Sequence, residues 1–103
     1  MTAVRVGSKS DVPAGQVRVF QVDGRSVCVA NLDGESFYAI DNLCTHDNGP
    51  LGEGTLAGDQ VECPRHGARF DVKTGEVKAF PAVRPVRTYP VTIEGDEVKV
   101  DVG

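Results

Sequence analysis

A chain of 103 residues in which 40% are hydrophobic and 25% charged has the length and composition of one globular domain with a modest core, which excludes a disordered segment. Its 15 acidic residues outnumber the 11 basic ones, for a formal charge of −4. That sign argues against nucleic acid or an anionic membrane as the main partner, since either calls for a basic patch. No stretch approaches the roughly 18 apolar residues of a membrane span. The N-terminal "MTAVRVGSKSDVPAG" has no apolar core of signal-peptide length, so a cytoplasmic location is expected.

In chain order, "VRVFQV", "SVCVANL", "SFYAI", "YPVTI" and "VKVDV" alternate with period two and are rich in β-branched and aromatic residues, which predicts strands. "VDGR", "LDGE", "KTGE" and "EGDE" are turn signals, so successive strands are expected to be hairpin-connected and antiparallel. No window carries a helical stripe. The predicted fold is all-β, a small antiparallel sandwich or barrel. From about 41 to 85 the texture changes: "DNGPLGEG", "LAGDQ" and "FPAVRP" are dense in Gly and Pro. This segment is read as a functional subdomain of loops on short strands, inserted into a β scaffold formed by 1–40 and 86–103.

The inserted segment holds both histidines and two of the three cysteines. Cys44 and His46 form C-x-H; Cys63 and His66 form C-x-x-H. Three cysteines are an odd number for a disulfide framework. Two thiolates and two imidazoles, by contrast, complete the coordination of a soft or borderline metal centre. Cys28, in the strand pattern "SVCVAN", reads as a small buried apolar residue rather than a ligand. Phe70, Phe80, Tyr38 and Tyr89 read as core aromatics.

The stretches "CTHDNGPLGEG", "CPRHGARFDVKTGEV" and "FPAVRPVRTYPVTIEGDEVKV" resemble the Rieske [2Fe–2S] ferredoxins, and with the N-terminal strands the resemblance covers nearly the whole chain as a single domain. It implies one [2Fe–2S] cluster, with Cys44 and Cys63 on the inner iron and His46 and His66 on the outer iron near the surface. Charge supports that division: two ferric ions, two sulfides and two thiolates cancel when the histidines are neutral, whereas four thiolates leave the cluster negative. His ligation therefore raises the potential. The resemblance further implies a one-electron carrier with no catalytic residues of its own. It would pass electrons from an NAD(P)H-dependent flavoprotein reductase to a terminal Rieske non-haem iron oxygenase of aromatic catabolism, and a monomer suits such transient docking.

High-potential members of the family join their ligand loops by a disulfide and place hydroxyl groups after the second His. Here the corresponding positions hold Pro50 or a neighbour, Arg65, Ala68 and Phe70. A potential near the low end of the Rieske range, about −150 mV, is expected. Gly49, Gly52, Gly54 and Gly67 are candidates to bring backbone N–H groups close to the sulfurs. Pro64 and Pro81 are expected to stiffen the covering loops. Leu43, Pro50, Leu51 and Pro81 are candidates for an apolar docking collar. Asp47, Glu53, Asp59 and Glu62 could form an acidic rim, and Arg65 reads as a solvated surface charge. Three other readings stay open: the small subunit of an assimilatory nitrite reductase, a structural zinc Cys2His2 module, and Cys–His nucleophilic catalysis.

Overall fold

The computed structural model describes residues 3–45, 49–64, 67–80, 82 and 84–102. Among the described residues, eleven strands make three antiparallel sheets. The first joins β1 (Val4–Ser8), β11 (Glu97–Val100) and β10 (Val91–Glu94) in the order β1-β11-β10. The second, in the order β2-β3-β4-β9, contains β2 (Gln16–Val22), β3 (Arg25–Asn31), β4 (Phe37–Asp41) and β9 (Thr88–Tyr89). The third runs β5-β6-β7-β8 through Thr55–Ala57, Gln60–Glu62, Arg69–Asp71 and Val77–Ala79. It lies wholly within the Gly- and Pro-dense segment. Among the described residues the only helical features are two short 3-10 turns, Lys9–Asp11 and Leu51–Glu53, and no helix is long and apolar enough to cross a membrane.

The five predicted strands are present, with one division. "YPVTI" breaks at Pro90: Tyr89 pairs with Ala39 in the second sheet, while Val91 pairs with Val100 in the first. Proline has no N–H to give a ladder, and here it marks the point where the chain changes sheets. The strand β1 was not predicted; its alternation is only three residues long before a register shift between Arg5 and Gly7. The hairpin β2–β3 closes in two residues, with φ positive at both Asp23 and Gly24, the conformation whose twist matches that of paired strands.

The second sheet is the middle layer, and β3 is buried almost throughout. Its two faces feed two cores. Val27 and Val29 join Phe37, Ala39, Tyr89, Val98 and Val100 in the scaffold core against the first sheet. Cys28 and Ala30 join Ile40, Leu51, Val61, Phe70 and Val86 in a second core beneath the inserted segment. Alternation along one strand thus gives the inserted segment a rigid floor.

Candidate metal centre

Cys44 and Cys63 both lie in the second core, 0% and 1% exposed, with Leu51, Ala68, Phe70 and Ala82 around them. Their loops close in the same way. The Cys44 N–H donates to the carbonyl of Gly49 at 2.8 Å, and the Cys63 N–H donates to that of Ala68 at 2.7 Å. In each loop the bond spans five residues and encloses the partner histidine in sequence. His46 and His66 themselves lie outside the described residues, as do Asp47, Arg65 and Pro81. The second loop is the tip of the β6–β7 hairpin, held by the pairs Glu62–Arg69 and Val61–Phe70. The first loop follows the end of β4 and is not flanked by a paired strand on its far side.

A third segment clasps the first loop. The Thr45 hydroxyl donates to the Arg84 carbonyl at 2.6 Å, and the Arg84 guanidinium donates back to the Thr45 carbonyl at 3.4 Å. The same segment is tied to β4 by Asp41 N–H to Arg87 O at 2.9 Å, and to the third sheet by Val86 N–H to Gly75 O at 2.8 Å. Arg87 also stacks over the Tyr89 ring at 5.0 Å, and the Tyr89 hydroxyl donates to Asp41 at 2.9 Å.

Cys28 sits as expected, a buried thiol, 1% exposed, on the floor under the loops. Burial, reinforced by the Asp41 carboxylate, pushes its thiol up to about 12. It is therefore neutral and unreactive at physiological pH.

Several expectations are corrected. Leu51 is 0% exposed and belongs to the core, so it is not part of a surface collar; Leu43 is 40% exposed. Phe80 is no core aromatic but 81% exposed, beyond the end of β8. Phe70 and Tyr89 are buried as expected. The Gly52 N–H is not available to a sulfur, because it donates to Asn42 Oδ1 at 2.7 Å. The Gly54 and Gly67 N–H groups donate to the carbonyls of Leu51 and Cys63. The acidic rim is partly neutralised, Glu62 by Arg69 at 3.2 Å and Asp59 by Lys73 at 3.3 Å. Asn42 and the Thr45–Arg84 clasp were missed.

Fold and site together define a class: an all-β domain that presents two buried thiols on two matched loops, the donors a soft metal centre takes. The Rieske [2Fe-2S] domain matches residues 2–90, and the chain belongs to that family. It is 41% identical over 92 residues to the ferredoxin component of the naphthalene 1,2-dioxygenase system of Pseudomonas aeruginosa, covering 89% of this chain and 88% of that one. The ferredoxin of carbazole 1,9a-dioxygenase from Nocardioides aromaticivorans superposes with a TM-score of 0.91 at 43% identity, covering 97% of each chain. A ferredoxin solved in complex with the oxygenase of carbazole 1,9a-dioxygenase superposes at 0.89 with 35% identity, over 95% of this chain and all of that one.

Proposed function

We propose that this protein is the ferredoxin component of a multicomponent oxygenase system, carrying one electron at a time from a flavoprotein reductase to a terminal oxygenase and catalysing no reaction itself. The observation that carries the reading is the pair of buried thiols on loops closed by the same five-residue hydrogen bond. The relatives named above are ferredoxin components of oxygenase systems, which favours this role over that of a nitrite reductase subunit. A cytoplasmic setting fits an odd number of cysteines, which no disulfide framework uses up.

The residues that would hold the single [2Fe–2S] cluster are Cys44 and Cys63 on the inner iron and His46 and His66 on the outer iron, within a cluster-binding unit of about 41–85. The donor set fits: thiolates are the ligands an iron–sulfur cluster requires, and imidazoles replacing two of them define the Rieske type. When bound, the cluster supplies a reversible one-electron couple. The chain does the rest. Leu51, Ala68, Phe70 and Ala82 keep water from the thiol side, which favours the less charged state of the centre. The closed loops hold both sulfurs still, so little has to move when an electron arrives. The apolar side chains at Ala68 and Phe70 offer no hydroxyl donors, which argues for a potential toward about −150 mV.

The test is a visible and EPR spectrum of protein purified without air, with a redox titration. A red-brown protein, EPR-active only after dithionite, with its midpoint at the low end of the Rieske range supports the proposal. A colourless protein with stoichiometric zinc would overturn it, and a midpoint above about +100 mV would overturn the tuning argument.

A further inference from the structure

We infer that Asn42 is the positioning residue of the first ligand loop, doing with one side chain what the β6–β7 ladder does for the second. The inference rests on Cys44 being a cluster ligand, as proposed above. The second loop needs no such help, because both of its ends continue into paired strands. The first loop leaves β4 at Asp41 and runs through Cys44 and Gly49 into the 3-10 turn Leu51–Glu53. The ends of that path are joined to the middle sheet through Asn42.

Four hydrogen bonds make the joint. The Asn42 backbone N–H donates to the Ser26 carbonyl at 3.0 Å. Its Nδ2 donates to Ser26 Oγ at 3.0 Å. Its Oδ1 accepts the Gly52 N–H at 2.7 Å and the Cys28 S–H at 3.2 Å. The near end of the loop is thus pinned to β3 by the backbone, and the far end by the side-chain oxygen. Position 52 leaves no slack: a Cβ there would lie 2.1 Å from Val19 Cγ2 and 3.2 Å from both Asn42 Oδ1 and Cys28 Sγ. The turn is pressed onto the sheet, and its bare N–H meets the carboxamide oxygen. The side chain offers an acceptor to two donors and a donor to a hydroxyl, and no buried side-chain polar atom among the described residues lacks a partner.

The consequence is mechanical. Groups that orient metal ligands from outside the coordination sphere typically change metal retention about 10- to 100-fold when removed. The test uses the full chain loaded with its cluster and follows release to a ferrous chelator without air by visible absorbance, together with the EPR lines of the reduced protein. Asn42→Ala is expected to release the cluster about tenfold faster and to show broadened lines, because the loop carrying Cys44 samples more positions. Asn42→Asp keeps the acceptor for Gly52 and is expected to stay within about twofold of the parent, with sharp lines. Ser26→Ala removes the Nδ2 partner, together with an exposed contact from Gln21 Nε2 at 3.3 Å, and is expected to accelerate release a few-fold; it serves if Asn42→Ala does not fold. Release from Asn42→Ala or Ser26→Ala at the parent rate with unchanged lines would overturn the inference, as would Asn42→Asp releasing as fast as Asn42→Ala. Failure of the cluster assignment reads differently: the parent protein itself then takes up no cluster, or Cys44→Ala retains it.

Discussion

Cys28 shows how much one side chain can record about its surroundings. Its thiol titrates near 12 in the folded protein, against 9.0 for an ordinary cysteine, so the folded chain holds a proton that the unfolded chain gives up between those values. Stability from this group is fully present below about pH 9 and is lost as pH rises toward 12, by up to about 1.4 kcal/mol for each pH unit. Tyr89, Lys73 and Lys99 are also shifted upward and press in the same direction. Urea unfolding of the cluster-loaded protein between pH 8 and 11 is expected to show a steep alkaline fall that is shallower in Cys28→Ala. An identical slope in the two proteins would mean that the thiol is not held neutral. That Cys28 is buried was legible from its place in the apolar strand pattern "SVCVAN". That Phe80 is exposed and Leu51 buried was not, because neither lies in a periodic stretch. Leu51, between Pro50 and Gly52, looks like a loop tip in sequence, yet the 3-10 turn folds it into the core. Asn42 was illegible for another reason: its side-chain partners lie 10 to 16 residues away in the chain.

At the scale of elements, the strands and turns that announce themselves do so through period-two alternation and a glycine at each break. The hairpin β7–β8 adds a tertiary demand to that local one. Gly75 has φ of +80°, and a Cβ there would lie 2.1 Å from the Val86 carbonyl oxygen, on the segment that carries Arg84 to Thr45. Gly75→Ala is expected to cost at least about 2 kcal/mol of unfolding free energy, from the left-handed backbone and the backbone clash together. A chemical denaturation curve checks this, and a cost below about 0.5 kcal/mol would show that the segment yields freely. The "KTGE" motif revealed the turn but not this contact, since Val86 is distant in sequence. The split of "YPVTI" was hidden for a similar reason. Pro90 is compatible with a strand end, and only the two sheets flanking it reveal a crossing.

For the whole molecule, the rim beside the first loop is the candidate surface for docking by redox partners, and it can be tested. Asp41, Leu43, Thr45, Arg84, Pro85 and Arg87 line a groove there, with two arginines and one carboxylate beside the apolar Leu43 and Pro85, in a chain whose net charge is −4. Leu43→Asp is expected to slow electron transfer with both reductase and oxygenase about tenfold while the visible spectrum is unchanged, as loss of an apolar anchor does in a small transient interface. Leu51→Asp, at a fully buried position, is expected to abolish the bound chromophore instead. Stopped-flow reduction and re-oxidation of the two variants separates these outcomes; equal rates for Leu43→Asp and the parent would move the docking face elsewhere.

The two-residue turn at Asp23 and Gly24 has a reach that its size does not suggest. It sets the register of β3 against β2, and register alone decides which side chains of β3 face which layer. A slip of one residue would turn Val27 and Val29 toward the loops and Cys28 and Ala30 toward the scaffold. The floor beneath the thiols would then carry branched side chains where small ones now leave room, and Cys28 would no longer meet Asn42. A hairpin tip that touches neither cysteine therefore selects, during assembly of the chain, the surface on which the metal centre is laid.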